Sequence, residues 1–425
     1  MPLDASRRIL LFAYYFPPLG MGGTQRLAKW CKYLVRDGWH PTVITVKPVA
    51  YYAYDESLLS DLGGFRIIRT GSLDPARLLF RWRGQGAGTA MAGRRTWLSW
   101  FFLPDSRVLW LPFAVWAGIR LLLREPHAAV VTSGPPHSSH FAGWVLRRIF
   151  RSRWLADFRD SWSGGDFQPE PTALHRRINL ALQRFILRRA DVVTTISPQL
   201  VEELKCHGKS DRPPPELLPN GYDPEDFSDR PQLEERFTVV FCGAITRVTN
   251  PRALIEGFRV FVETAVLLPA QARLRFVGAD LSGALPSMIR ENRLEEFVDI
   301  TGYVPHAEAV AAMQRASVLA YTAAPGTSAV YVGGKTYEYL AARRPVLAIG
   351  EPVEGLRLLR QHAATRACDF GAIDAIARSL LAFYREFRAG ALPAASPVPD
   401  EFSRRHQARR LVALLFPEAG QIVIE

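Results

Sequence analysis

Cysteine is scarce and scattered: four in 425 residues, Cys31, Cys206, Cys242 and Cys368, with no C-x-x-C spacing. That argues against a disulfide framework and against a structural zinc site, and it fits a reducing cytoplasm. No apolar run is long enough to span a bilayer. The stretch Val108 to Ile119 is too short and is interrupted by Pro112. The N-terminal run Ile9-Leu10-Leu11-Phe12 is too short for a secretory signal and leads into a Pro-Pro/Gly loop, as a first buried strand does. Acidic residues are in deficit, 41 against 53 Lys and Arg, for a formal net charge of +12. Such a balance favours an anionic partner: nucleic acid, an acidic membrane, or phosphorylated small molecules.

What is present describes a folded globular protein, 48% hydrophobic and 22% charged. The length exceeds one ordinary core, so two domains are expected. Arg8 to Tyr15 reads as a strand, Phe16 to Arg26 as a glycine loop, and the sequence from Thr24 as a helix with Leu27, Trp30, Cys31 and Leu34 on one face. Pro41 to Val46 is the next strand. Strand, glycine loop, helix, strand is one unit of a parallel sheet. The loop lacks the G-x-G-x-x-G spacing, and no acid ends the second strand, so a dinucleotide fingerprint is not supported.

Between about 75 and 125, Arg77, Arg81, Arg83, Arg94 and Arg95 interleave with aromatic residues including Trp82, Trp97 and Trp100. This Arg/Trp-rich excursion predicts a membrane-interface surface; a helical excursion packed on the first domain is the alternative. Further strands are expected at Ala128–Thr132, Trp154–Phe158 and Ala190–Ser197, with loops at their C-terminal ends. His137, after Ser133-Gly134-Pro135-Pro136, is placed to touch substrate, since ligands in open α/β sheets gather beyond strand C-termini. Asp157 and Asp160 could chelate a metal but lack a third ligand; orienting loops or partnering Arg159 suits them better.

The second half restarts the pattern after a proline-rich stretch, with strands at Phe237–Cys242, Leu274–Val277, Val298–Val304 and Ser317–Tyr321. Gly333-Gly334-Lys335 then opens a helix carrying Glu338 and leads to an apolar strand at Val346–Gly350. The glycines allow close backbone approach, and a helix start attracts an anion such as phosphate. A carboxylate one turn further suits the hydroxyls of a ribose or sugar; a dipole-compensating glutamate is the plain alternative.

In order and spacing, several motifs resemble a retaining family-4 glycosyltransferase of the GT-B fold. They are Tyr15-Phe16-Pro17-Pro18 with Gly22, Gly23 and Arg26; Ser133-Gly134-Pro135-Pro136-His137; Asp157-Phe158-Arg159-Asp160-Ser161-Trp162; Ala190-Asp191 with Ser197; Pro219-Asn220-Gly221 with Asp223; and Lys335, Tyr337 to Ala341, Pro345 and Val346. The resemblance implies an α/β chain of two Rossmann-like domains with a deep inter-domain cleft. Residues 1–212 form the acceptor-side domain, 213–235 a linker, 236–395 the nucleotide-sugar domain, and 396–425 a helix returning to the first domain. It further implies transfer of a sugar from a nucleotide diphosphosugar to an acceptor hydroxyl with retention, with no cofactor or metal and no nucleic-acid partner.

On this reading His137, Arg247 and Glu338 are the catalytic candidates. Gly22, Gly23, Arg26, Asp160, Asn220, Gly243, Arg252, Gly333, Gly334 and Lys335 bind substrate. Glu338 matches the ribose-binding second glutamate of the E-x7-E motif, but its first-glutamate position is Val330. Ala244 and Thr249 stand where the family's usual Arg and Lys do, leaving Arg247, Arg252 or Lys335 to supply the charge. A lipid-linked or glycan acceptor at an anionic membrane surface is expected, with a cytoplasmic, peripheral location and a role in cell-envelope polysaccharide or glycolipid assembly. A non-catalytic GT-B partner subunit, or a nucleotide-sugar epimerase or phosphorylase, is the alternative.

Overall fold

The computed structural model describes residues 5–20, 22–49, 54–75, 77, 100–163, 170–208, 213–229, 231–393 and 396–418. The chain divides into two compact units, Met1–Asn220 with Arg404–Glu425, and Gly221–Ser403.

The first unit is built on β1 (Arg8–Phe12), β2 (His40–Val46), β3 (Arg66–Thr70), β4 (Ala129–Gly134), β5 (Arg153–Phe158), β6 (Val192–Thr195) and β7 (Glu216–Leu217). All pair in parallel, in the order β3-β2-β1-β4-β5-β6-β7. The central strands β1 and β4 are almost wholly buried because helices cover both faces. Its helices are α1 (Gly22–Arg36), α2 (Leu111–Arg124), α3 (Ser139–Phe150), α4 (Ala173–Leu187) and α5 (Pro198–His207). One face of the sheet packs against α2, α3, α4 and α5. The expected stripe of α1, with Leu27, Trp30, Cys31 and Leu34 buried, packs on the other.

Pro112 does not break the apolar stretch. It lies in the first turn of α2, where a missing N–H costs nothing. Trp110, which falls within the aromatic-rich stretch between about 75 and 125, is core and not surface: it is fully buried, edge-on to Tyr14 at 5.3 Å, and its indole donates to Thr70 Oγ1 at 2.7 Å. Arg77 is buried too, donating to the Lys47 carbonyl. Arg81, Arg83, Arg94, Arg95, Trp82 and Trp97 lie outside the described residues.

The second unit repeats the plan with β8 (Phe237–Cys242), β9 (Ala272–Val277), β10 (Val298–Gly302), β11 (Val318–Ala323), β12 (Val346–Gly350) and β13 (Thr365–Cys368), in parallel order β10-β9-β8-β11-β12-β13. Its helices are α6 (Arg252–Thr264), α7 (Leu285–Glu291), α8 (His306–Arg315), α9 (Lys335–Ala342), α10 (Glu354–His362) and α11 (Ile373–Arg388). Each sheet has a switch point where the strand order reverses, β1/β4 in one and β8/β11 in the other, the usual ligand position in such sheets.

The last helix, α12 (Arg404–Leu415), belongs to the first unit, burying Ala408, Leu411, Val412 and Leu415 beside α1. The stretch expected as a linker, 213–235, is shared out between the units. β7 joins β6, and Arg26 donates to the Leu218 and Pro219 carbonyls, which ties 216–220 to the first unit. The Tyr222 amide donates to Phe402 O and Glu234 N to Arg315 O, which ties the remainder to the second.

Candidate active site

In the second unit the glycines ending the strands let the loops crowd together. A Cβ on Gly278 would lie 2.2 Å from the Gly243 carbonyl oxygen, and one on Gly350 would lie 1.8 Å from that of Ala323. Both have positive φ, at +138° and +123°. No other residue fits these positions. The 324–334 segment is stitched to its neighbours by bonds from Ala324 N to Val248 O, Glu354 N to Ala329 O and Gly355 N to Tyr331 O.

Against this edge α9 begins at Lys335, with Gly334 as its N-cap and no side-chain cap. A Cβ on Gly334 would meet nothing within 4 Å, so the helix start opens on free space. The free N–H groups and the dipole there favour an anion. The stem of Lys335 passes over Gly243, its Cγ 3.8 Å from where a Cβ would stand, and its ammonium pairs with Glu338. Burial opposes that charge, but the Glu338 carboxylate outweighs it and holds the ammonium above its ordinary range. The lysine keeps 28% of its side chain exposed and the glutamate 8%, so the cation is the more accessible partner. The helix is pinned from below: Tyr339 Oη accepts from Cys242 N at 2.8 Å and donates to Ala320 O at 3.0 Å.

Arg247 is exposed and has no ion-pair partner among the described residues. Arg252, by contrast, faces Glu256 and Glu291 at 3.7 and 3.8 Å. Thr249 braces its loop, donating to Ala244 O at 2.7 Å and lying 3.0 Å from the Thr246 hydroxyl. A fold-building hydroxyl therefore occupies the position where a family lysine was expected. Val330 is half-buried in the 324–334 segment.

Beyond the strand C-termini of the first unit, Arg26 and Arg159 are spent on structure. Arg26 was expected to bind substrate, but it is 1% exposed and its guanidinium is fully engaged. It meets Asp157 through two bonds of 2.9 and 3.2 Å, donates to Leu218 O at 2.7 Å and Pro219 O at 2.6 Å, and stacks over Trp30. It also reaches Asn220 Oδ1 at 3.4 Å, so Asn220 serves that cluster too. Asp157 accepts from Ser133 and Thr194 as well, at 2.8 and 2.9 Å. Its partner is Arg26, not Arg159. Arg159 donates instead to the carbonyls of Gly23, Gly134 and Pro135, clamping the first and fourth strand loops together. No signal in the sequence marked this clamp beyond its place in the Asp-Phe-Arg-Asp motif. Gly22 and Gly23 open α1, and half-buried Asp160 follows the clamp.

His137 is fully buried, stacked on Trp162 at 4.8 Å and 7°. Neither ring nitrogen makes a well-aligned hydrogen bond, although the Ser161 backbone lies near enough to favour the charged form slightly. Burial, then His140 and Arg159, push its pKa well below the ordinary histidine value, so the ring is neutral. His140, stacked on Phe158 at 4.5 Å, is likewise lowered, to about 3. A neutral imidazole can hold a hydroxyl but has no proton of charge to give.

Two family models match. A glycosyl transferase 4-like domain covers residues 21–221, and a domain described as glycosyl transferases group 1 covers residues 236–386. Among solved structures, sucrose-phosphate synthase from Thermosynechococcus elongatus is similar over 98% of both chains at 18% identity, with a TM-score of 0.62. Trehalose 6-phosphate synthase from Burkholderia multivorans is similar over 98% of this chain and 100% of its own, at 10% identity and a TM-score of 0.63. A trehalose-6-phosphate protein from E. coli, bound with UDP-2-fluoro glucose, is similar over 96% and 98% at 8% identity and a TM-score of 0.61. No curated protein matches the chain by sequence. Two doubly wound sheets in this order, carrying these two domains in succession, make the chain a member of the GT-B glycosyltransferases of the family-4, group 1 kind.

Proposed function

We propose that the protein transfers a sugar from a nucleotide diphosphosugar to an acceptor hydroxyl with retention of anomeric configuration. The observation that carries the donor half is the open helix start at Gly334, with Lys335 and Glu338 beside it and Arg247 exposed on the neighbouring loop. The diphosphate sits at the N–H groups of α9, with the Lys335 ammonium against its oxygens. Glu338 accepts from the ribose hydroxyls, and its pairing with Lys335 keeps the carboxylate from repelling the phosphate.

The barrier is separation of the diphosphate from a sugar that becomes oxocarbenium-like. Lys335, Arg247 and the helix-end donors stabilise the negative charge that builds on the departing phosphate, and in a preformed site such stabilisation is commonly the largest catalytic contribution. These cations stand where other transferases use a metal, so turnover is expected to survive EDTA. The leaving phosphate takes the acceptor's proton. His137, neutral and with two unspent nitrogens, holds a sugar hydroxyl once the 134–138 turn admits one. Val330, at the position of the first family glutamate, contributes no hydroxyl contact to the sugar.

The acceptor reading is a lipid-linked or glycan hydroxyl presented at the cytoplasmic, anionic face of a membrane, in cell-envelope polysaccharide or glycolipid assembly. What supports it is the basic balance of the chain and its exposed aromatic residues, Trp100 and Phe101 among them. Among the described residues, no helix is long and apolar enough to cross a membrane. A second reading, a non-catalytic partner that keeps the fold, is favoured by Val330, Ala244 and Thr249. One experiment separates the two. Purified protein is offered a panel of nucleotide sugars, nucleoside diphosphate release is followed, and the product's anomeric configuration is read by NMR. Release from one donor with a retained product supports transfer; inversion refutes retention, and silence across the panel favours the partner reading.

A further inference from the structure

Three of the four helices that cover one face of the first sheet, α2, α3 and α4, contain two, two and three arginines respectively and no aspartate or glutamate; the fourth, α5, carries Glu202 and Glu203, engaged by Lys205 at 2.7 Å and Ser161 at 2.6 Å. Helices on a soluble surface normally intersperse both signs. Those of the second unit do so: α6 carries Arg259–Glu263 at 2.8 Å and Arg252–Glu256 at 3.7 Å as i,i+4 pairs. Arginines near helix C-termini compensate the dipole, but one per helix does that.

Arg124, Arg147 and Arg148 of these lie at one edge, where the connections add four more arginines, while Arg176 and Arg177 stand at the other end of α4. Each helix leads by a short connection into the N-terminus of a parallel strand, β4, β5 or β6, so the three C-termini lie at the edge opposite His137 and Gly23. A Cβ on Gly118 of α2 would lie 2.9 Å from Leu146 of α3, and Phe141 of α3 stacks with Phe185 of α4 at 6.2 Å, so the helices run side by side. Exposed there are Arg124, Arg148, Arg151, Arg153, Arg188 and Arg189. The two acids of these connections are already taken: Glu125 pairs with Arg66 at 2.9 Å, and Asp191 pairs with Arg147 at 2.6 Å. Between α3 and β6 is a cavity of about 470 Å³ lined by Arg147, Arg151, Arg153 and Asp191. Asp191 pairs with Arg147, which leaves exposed Arg151 and Arg153, the latter also donating to Leu414 O at 3.4 Å, to face an anion.

Large apolar side chains stand exposed among these cations. Leu123 is 71% exposed and Ile149 53%, one near each helix end, and Trp116, 59% exposed, lies one turn from Arg120, which stacks on it at 4.5 Å. Arginine alone would suit nucleic acid. Apolar residues at the same edge gain nothing from a phosphate backbone but gain from the boundary between headgroups and acyl chains.

We infer that this edge of the first unit docks on an anionic bilayer, with Arg151 and Arg153 taking lipid phosphates and Leu123 and Ile149 entering the headgroup boundary. The inference rests on the reading of a membrane setting and not on where the acceptor binds, since this edge lies opposite His137, and its test needs no turnover. Full-length protein is floated with vesicles of phosphatidylglycerol and phosphatidylcholine, with phosphatidylcholine alone, and is titrated with duplex DNA. Binding is expected to the anionic vesicles only. It should weaken at least tenfold in Arg151→Glu/Arg153→Glu and severalfold in Leu123→Ser/Ile149→Ser, with nucleoside diphosphate release from a soluble donor unchanged in both. No vesicle binding, or binding indifferent to both double variants, overturns the inference. So does DNA binding that requires the arginines while ignoring Leu123 and Ile149. A protein that binds no vesicles yet releases nucleoside diphosphate loses the docking edge and keeps the transfer reading; one that binds vesicles but uses no donor does the reverse.

Discussion

The two units share a plan and spend their cations differently. At the strand ends of the first, Arg26 and Arg159 are buried and every close contact they make is with the protein itself. At the strand ends of the second, Lys335 keeps part of its side chain in solvent and Arg247 is exposed. Like residues at like positions of a repeated fold therefore differ in their surroundings: one set is buried and fixes loops, the other keeps contact with solvent. Motif position alone does not tell them apart. Burial does.

All ten tryptophans lie between Trp30 and Trp162, in the first unit, so their fluorescence reports that unit selectively. The sharpest way to break the comparison is Arg26→Ala. Removing one partner of a buried pair leaves Asp157 uncompensated, so the first unit should lose about 3–5 kcal/mol in urea unfolding followed by tryptophan. Unaltered unfolding with lost turnover would return Arg26 to the substrate. Next in size, Glu338→Ala or Arg247→Ala should lower kcat/KM with the donor by roughly 10²–10³-fold, the scale of one preorganised charge-stabilising group, while tryptophan-monitored unfolding stays as in the wild type. Near wild-type kinetics in both would remove the basis for a nucleotide-diphosphate site.

The two units should also differ with pH. Burial lowers His127 in the first unit and half-buried His362 in the second, but the fully buried, neutral pair, His137 and His140, belongs to the first unit. An unfolded histidine takes up a proton below a pH of about 6.5, and these two resist it, so the unfolded state binds more protons as the pH falls. Stability of the first unit should drop below pH about 6.5, by up to about 1.4 kcal/mol per unit for each histidine. His140→Gln should flatten the slope seen by tryptophan; an equal slope in that variant counts against the buried pair. The smallest effect belongs to Arg252. Its contacts are surface ion pairs, worth about 0–1 kcal/mol, so Arg252→Ala should scarcely move stability or turnover. A large loss of turnover would promote it to the diphosphate site.

Much of the fold was legible because buried parallel strands are continuous apolar runs. β8 and β12 fall at the residues their hydrophobicity marks, Phe237–Cys242 and Val346–Gly350. The edge strands β3 and β13, reading Arg66-Ile67-Ile68-Arg69-Thr70 and Thr365-Arg366-Ala367-Cys368, escaped because an edge is half solvated and mixes in polar residues. α2 was hidden by Pro112, which looks like a breaker until its first-turn position is known. At the site, Gly333 to Glu338 was readable from local chemistry: glycines, a helix start and a carboxylate are neighbours in sequence. The fate of Arg26 was not. Its partners Asp157 and Leu218 lie 131 and 192 residues away, and only the assembled sheet brings them to its guanidinium.

α12 gives the chain a particular order of completion. The second unit is inserted whole between Asn220 and Arg404, so the first is written in two instalments. As the polypeptide leaves the ribosome, the second unit's contiguous stretch has emerged before the first can close. Until Leu411, Leu415 and Phe416 emerge, the α1 side of the first sheet lacks its cover, and Trp39 lacks the ring that stacks on it at 5.0 Å. A chain that stops before α12 would carry a complete second unit and a first unit with an exposed apolar face, the kind of surface that chaperones retain. The twelve residues of α12 thus set when the first unit is complete: its α1 side is covered only after the whole of the second unit has been made.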